Sequence, residues 1–298
     1  MKKLLLILLI FTCSLAADEK IFGRIPSEFN VLSSVNFEEI FKKELPFLRE
    51  IADDLDEDGI LKKFEKAGFN LNILKKMWFS QNVSADNNFN NNKWDWLTFI
   101  EFTKDVKVED LLKIVKSEFK LEALEGKIED QKSFEINNNL QDIFIIQPNP
   151  RLIILGSKDS LKKSIRLTKQ NKEEQLQYSL LGNKQITDLH ATVREHQIWL
   201  AGYTKNKEKF LNLTDIVLAL DFDKDLKFKT ILNFGDQMSC DQVYGFWQMI
   251  KAHLMQDQKF QMENKHFYDT KFDRSLLLKI TFTKEVLKRA GMIGKKDK

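Results

Sequence analysis

A pattern that occurs twice constrains this chain more than any other feature. Leu152-Ile153-Ile154-Leu155-Gly156-Ser157-Lys158-Asp159-Ser160-Leu161-Lys162-Lys163 is matched by Leu278-Lys279-Ile280-Thr281-Phe282-Thr283-Lys284-Glu285-Val286-Leu287-Lys288-Arg289. Each gives an apolar strand, a hydroxyl N-cap, a Lys-acid pair and a short helix in which a Leu precedes two basic residues. Ahead of the copies stand strands and a longer helix, residues 96–104 then 108–121 in the first and 227–234 then 239–256 in the second. The order strand, strand, helix, strand, strand, short helix is therefore expected twice. Such a chain is α+β, with two related lobes, each a mainly antiparallel sheet with helices packed on one face. The expected divisions are a leader over 1–16, an N-terminal lobe over 17–167, a polar linker over 168–184 and a C-terminal lobe over 185–298.

Local signals fill in this outline. Ser239-Cys240-Asp241-Gln242 reads as a capping box, followed by an apolar stripe of Val243, Phe246, Trp247, Ile250 and Leu254. In the first copy Asp105 is the expected cap, and Leu111, Leu112, Val115 and Phe119 form the stripe. Residues 143–146 and 152–155 flank Pro148-Asn149-Pro150 as one hairpin, while 216–220 and 226–234 flank Asp223-Lys224-Asp225 as a second. The Asn-rich segment 86–92 has no apolar periodicity and reads as an exposed loop.

The chain's beginning supplies an address. Lys2 and Lys3, an apolar run over 4–11, and Ser14 and Ala16 at cleavage-compatible spacing make a secretory signal peptide ending at Ala16. The mature chain is then exported, periplasmic or extracellular, with lipid attachment at Cys13 the less favoured alternative. The run is shorter than a membrane-spanning helix requires, and no later segment spans. With Cys13 gone, Cys240 has no partner for an intramolecular disulfide, so an apolar core containing many of the 24 Phe must hold the fold. Formal charge is only +3, with Lys and Glu alternating along the chain, which argues against a nucleic-acid partner.

The sharpest chemical motif is Asp54-Leu55-Asp56-Glu57-Asp58-Gly59 with Glu65 beyond it. It fits a calcium loop in which Asp54, Asp56, Asp58, the Ile60 carbonyl and Glu65 are the metal ligands. The alternative is an acidic break between helices, with Asp56 or Asp58 as a cap and no cofactor. Ser117-Lys120 and Ser160-Lys163 share the S-x-x-K spacing of some hydrolases, but lack the accompanying elements. Asp221 and Asp223 could share a strand face, yet sit at a turn. Of the histidines, His253 is expected beside the core stripe, and His190 and His196 at an exposed helix end. Trp94 and Trp96 share a strand face, with Trp78 nearby, and read either as core or as the lining of a ligand groove. Asn82-Val83-Ser84 and Asn212-Leu213-Thr214 fit the N-glycosylation pattern.

The leader, Ile25-Pro26-Ser27-Glu28, an early amphipathic stretch ending at Gly68-Phe69-Asn70, and the twice-used strand with its Leu-Lys-Lys helix together resemble exported two-lobed α+β proteins of planctomycete-type bacteria. The resemblance implies an envelope or secreted location and assigns no activity or site residue. The expectation is thus an exported, non-enzymatic binding or envelope-structural protein whose partner is an unknown ligand or envelope protein. Its alternatives are a calcium-binding regulatory or adhesion module using loop 54–65, and a hydrolase with an unrecognised site.

Overall fold

The computed structural model describes residues 19–42, 71–83, 95–137, 142–204 and 212–290. The leader, Cys13, the Asn-rich segment and Trp94 lie outside them. So do the expected metal ligands Asp54, Asp56, Asp58, Ile60 and Glu65.

Among the described residues one sheet runs through both halves of the chain. Its strands are β1 (Val31–Val35), β2 (Leu74–Gln81), β3 (Trp96–Phe102), β4 (Ala123–Ile128), β5 (Gln131–Asn137), β6 (Asp142–Asn149), β7 (Leu152–Gly156), β8 (Ile198–Tyr203), β9 (Leu213–Phe222), β10 (Leu226–Phe234), β11 (Phe267–Phe272) and β12 (Ser275–Phe282). The order across the sheet is β11-β12-β10-β9-β8-β1-β2-β3-β7-β6-β5-β4, with neighbours antiparallel. The helices are α1 (Glu19–Phe22), α2 (Phe37–Lys42), α3 (Val108–Phe119), α4 (Lys158–Lys169), α5 (Lys172–Tyr178), α6 (Lys184–Ala191), α7 (Gln237–Gln256) and α8 (Lys284–Arg289). This is a mixed helix-and-strand fold built on a large antiparallel sheet, as the repeated pattern predicts.

The two halves meet at the antiparallel pair β1 and β8. On each side a meander of three strands (β1 to β3, β8 to β10) leads into a long helix, α3 or α7, and the chain then returns so that its last strand lies beside the strand before the helix. β7 thus pairs with β3, and β12 with β10. The first half differs from the expected order by carrying four strands after its long helix instead of two. The extra hairpin, β4 and β5, gave a weak apolar signal because β4 is an edge strand whose middle four residues are all exposed.

Strand alternation separates two faces. On the front, Leu32, Trp78, Phe99, Ile154, Trp199 and Val217 form one continuous core under α1, α4 and α6. On the back, three clusters follow one another: one with α3, a central one with α2, and one with α7, while α8 contributes to both the central and the α7 clusters. Helices therefore cover both faces rather than one. The matched short helices also part company, since α4 buries Leu161 and Ile165 in front while α8 buries Val286 and Leu287 behind.

The polar stretch 168–184, expected as a linker, is largely helical. Asn171 caps α5 by accepting the Glu174 backbone N–H at 3.0 Å. Leu180 just after α5 is fully buried in the front core, and its N–H donates to the Ile25 carbonyl at 2.8 Å.

Two other local expectations shift for electrostatic reasons. α7 starts earlier than the capping box implies, because Asp236 is its N-cap and accepts the Ser239 N–H at 2.7 Å. Its rotation is set by Asp269 of β11, whose carboxylate accepts hydrogen bonds from Tyr244, Gln248 and Lys251 at 2.9, 3.0 and 2.8 Å. Cys240 and Trp247 consequently face the sheet, while Phe246 of the predicted stripe is 62% exposed and the His253 side chain 78% exposed. At α3, Lys107 occupies the cap position, and it is the Gln147 side chain that accepts the Val108 N–H at 3.1 Å. Asp105 instead pairs with Arg151 at 2.8 Å.

Burial pushes the Asp269 carboxyl upward, but the bonds from Lys251, Tyr244 and Gln248 outweigh it and hold the group below the ordinary carboxylate value. A depressed folded-state value stabilises above the unfolded pKa and is lost as pH falls through the folded one. Asp269→Asn is expected to cost about 2 kcal/mol at pH 7, with the gap to wild type narrowing below roughly pH 4, in urea titrations across pH. Leu180→Ala is expected to lower stability by about 2–4 kcal/mol in the same assay; a change near zero would mark this segment as a true linker.

Candidate functional site

The front core thins towards β10, where Ile231 is its last packed residue. Beyond it the front-facing Tyr268, Thr270, Phe272 and Lys279 of β11 and β12 are exposed, Phe272 by 79%. Helix α6 packs on β8 and borders this open floor. The result is a trough, with β10, β12 and β11 as its floor and α6 as its wall.

One end of the trough is a row of side chains in strand register. Phe272 pairs with Ser275, Ser275 with Asn233, Asn233 with Asp215, and Asp215 with Tyr203, so the row crosses five strands. At the usual strand spacing it is about 19 Å long. Three hydrogen-bonding side chains occupy its middle, and an aromatic ring stands at each end. Ser275 Oγ donates to Asn233 Oδ1 at 2.9 Å, and Asn233 Nδ2 points to Asp215 Oδ2 at 3.4 Å. Gln185 of α6 donates to the other Asp215 oxygen at 2.6 Å. Asn183, the α6 N-cap, accepts the Ile186 N–H at 3.2 Å and donates to the Tyr203 hydroxyl at 2.9 Å. Because each polar group is held by its neighbour, the row presents lone pairs and N–H groups in fixed directions.

Gln185, Tyr203, Asp215, Asn233 and Ser275 line a cleft of about 1210 Å³, together with Asn212 and Arg274. The turns that close it are tightly made. Asn212 is left-handed, its amide bonded to Asp236, and its carbonyl accepts the Gly235 N–H at 2.7 Å. A Cβ on Gly235 would stand 2.6 Å from Asn212 Oδ1, so this position requires glycine unless the Asn212 side chain moves. Arg274, after the left-handed Asp273, donates to the Gly235 carbonyl at 3.1 Å. The Asn212 amide, which fits the glycosylation pattern, is thus part of the turn's framework.

The residues singled out from the sequence lie elsewhere or play other parts. Trp78 is core, and Trp96 is half-buried and stacked on Phe79 at 6.4 Å on the back of the sheet. His190 is buried between Phe22 and Trp199, at 5.2 and 5.0 Å, not exposed as its polar surroundings implied. His196 is half-buried, with Nδ1 2.6 Å from Asp221 Oδ2, while the other Asp221 oxygen accepts the Gln197 N–H at 3.0 Å. Asp223 stays in the exposed turn, beside Lys227 at 3.9 Å. Ser157 Oγ donates to Ser160 Oγ at 2.7 Å, and Lys163 pairs with Glu28 at 2.6 Å. Lys120 donates to the Ser117 carbonyl at 2.9 Å, not to its hydroxyl. Neither S-x-x-K pair therefore joins a hydroxyl to its lysine. Cys240 is buried, and desolvation pushes its thiol pKa up. Among the described residues no group of three or more His, Cys, Asp and Glu side chains is placed to hold a metal.

The polar row was missed because its members are 203, 215, 233 and 275 in the chain, and no local spacing joins them. The available signal was weak: a polar residue near the end of each apolar strand, in Asn233-Phe234-Gly235 and Thr214-Asp215-Ile216.

Comparison with known proteins adds little. No family model matches the chain, and no curated protein matches it. A solved structure described as crystal form I of TP0453 aligns with 92% of this chain and 97% of its own, at 13% identity and a TM-score of 0.47. Likeness at that level bears on neither ligand nor activity.

Asn183→Ala removes the α6 cap and frees Tyr203, and is expected to cost about 1–2 kcal/mol in chemical denaturation. Tyr203→Phe, which keeps the cap, should cost less than half of that; equal losses would show that the cap contributes nothing.

Proposed function

We propose that this is an exported binding protein that holds a hydroxyl-rich ligand, an oligosaccharide in chemical class, in the cleft between α6 and the β11 edge. The observation that carries the reading is the register row Phe272, Ser275, Asn233, Asp215, Tyr203. Amide and carboxylate groups on rigid strands suit vicinal hydroxyls, each of which needs a donor and an acceptor at once. Rings at the two ends suit the apolar faces of sugar rings. The leader supplies the address, since envelope and extracellular polysaccharides lie where an exported chain meets them. Asp215 is held by Gln185, Asn233 and Thr214, an arrangement that orients an acceptor. Asp221 meets His196 Nδ1 with one oxygen and accepts the Gln197 N–H with the other, so the pair works as a clamp on the start of β8.

The repeated order of strands and helices on either side of β1 and β8 also fits an origin by internal duplication.

Isothermal titration of the purified protein with a panel of oligosaccharides, neutral and acidic, tests the reading. Binding is expected for at least one, weakened about tenfold by Asn233→Ala and by Ser275→Ala. Absence of heat across the panel at millimolar sugar, or binding indifferent to both substitutions, overturns it.

A further inference from the structure

The trough has a second row, four residues along each strand from the first and about 13 Å away. Tyr268 pairs with Lys279, and Lys279 lies opposite Lys229. Like charges facing each other across an antiparallel ladder repel, an arrangement a sheet ordinarily relieves with a carboxylate. Here none has been supplied: among the described residues no carboxylate stands within salt-bridge distance of either ammonium. Asp221 is the favourable charge in the neighbourhood, and it is already engaged by His196 and the Gln197 N–H.

The surroundings aim the pair into the trough. Lys229 is half-buried, and its ammonium reaches the Thr192 carbonyl at the end of α6 at 3.4 Å. Burial, then the field of Lys279, push its pKa down, so a bound anion would relieve the strain that its own neighbours impose. Lys279 lies 5.2 Å from the ring centre of Tyr268, which is 54% exposed. Between the two rows Thr270, Leu277 and Ile231 lie side by side in register on the same face.

We propose that the saccharide is acidic, with the Tyr268–Lys279–Lys229 row binding its carboxylate or sulfate while the Asn233 row holds its hydroxyls. The inference rests on the reading of the cleft given above and narrows its ligand class. An acidic sugar polymer fits better than a nucleic acid, whose closely spaced phosphates call for a broad basic face. Here two lysines stand opposite each other, separated by an apolar strip from a row that contains Asp215.

The test compares an oligogalacturonate with its full methyl ester, which keeps the hydroxyls and removes the charge. Titrated against the wild-type protein, the acid is expected to bind about fivefold more tightly than the ester at low salt, with the advantage shrinking as salt is added. In the Lys229→Gln, Lys279→Gln double variant the acid should fall to the affinity of the ester, while ester binding stays unchanged and certifies the fold. Equal affinity of acid and ester for wild type, or an advantage that survives the double substitution, overturns the acidic-ligand inference and leaves the cleft reading standing. Failure of both sugars to bind overturns the acidic-ligand inference as well, while the cleft reading stands or falls on the oligosaccharide panel.

Discussion

The antiparallel pairing of β1 with β8 is the contact on which the rest of the molecule depends. Five register pairs, from Val31 opposite Gly202 to Val35 opposite Ile198, join strands distant in the chain. Without them the sheet would be two separate sheets, each with an open edge through its apolar centre. The seam is closed at one end by Asn30, whose buried amide donates to the Tyr203 carbonyl at 2.7 Å and the Val83 carbonyl at 3.0 Å and accepts the Val83 N–H at 2.7 Å. Burying that amide is tolerable because its N–H groups and oxygen find partners. Tyr203 is also one end of the polar row, so the clamp on the seam fixes the backbone of the site.

Function on the front face follows from how unevenly the helices are distributed. The front core is continuous from the α4 region to β9, and the back is covered in three separate patches. α8 turns behind the sheet where α4 lies in front, so the final strands are left without a front cover of that kind. Uncovered strand faces need polar or charged side chains, and the rows through Asn233 and Lys229 provide them. Rigid strands beneath and α6 alongside then give those groups fixed positions, which a flexible loop would not.

Much of the local architecture was legible from residue spacing. The hairpins around 148–150 and 223–225, the long helices and the short Leu-Lys-Lys helices depend on neighbours in the chain, where alternation and capping act directly. Expectations went astray where distant groups decide. Asp269 rotates α7 and exposes Phe246; Gln147 replaces Asp105 at the start of α3; and Phe22 and Trp199 bury a histidine that its neighbours made look exposed. The edge hairpin β4 and β5 was hidden because strands with an open side need little apolar alternation.

By itself, then, the sequence determined the class of fold, because the alternation of strands and the stripes of helices are set within a few residues of chain. Tertiary structure alone decided that the halves share one sheet, which helices lie on which face, and where the trough opens. Those outcomes turn on register between strands as distant in the chain as Val31 and Gly202. Ser275, Asn233, Asp215 and Tyr203 become neighbours only when four strands have paired in a single alignment.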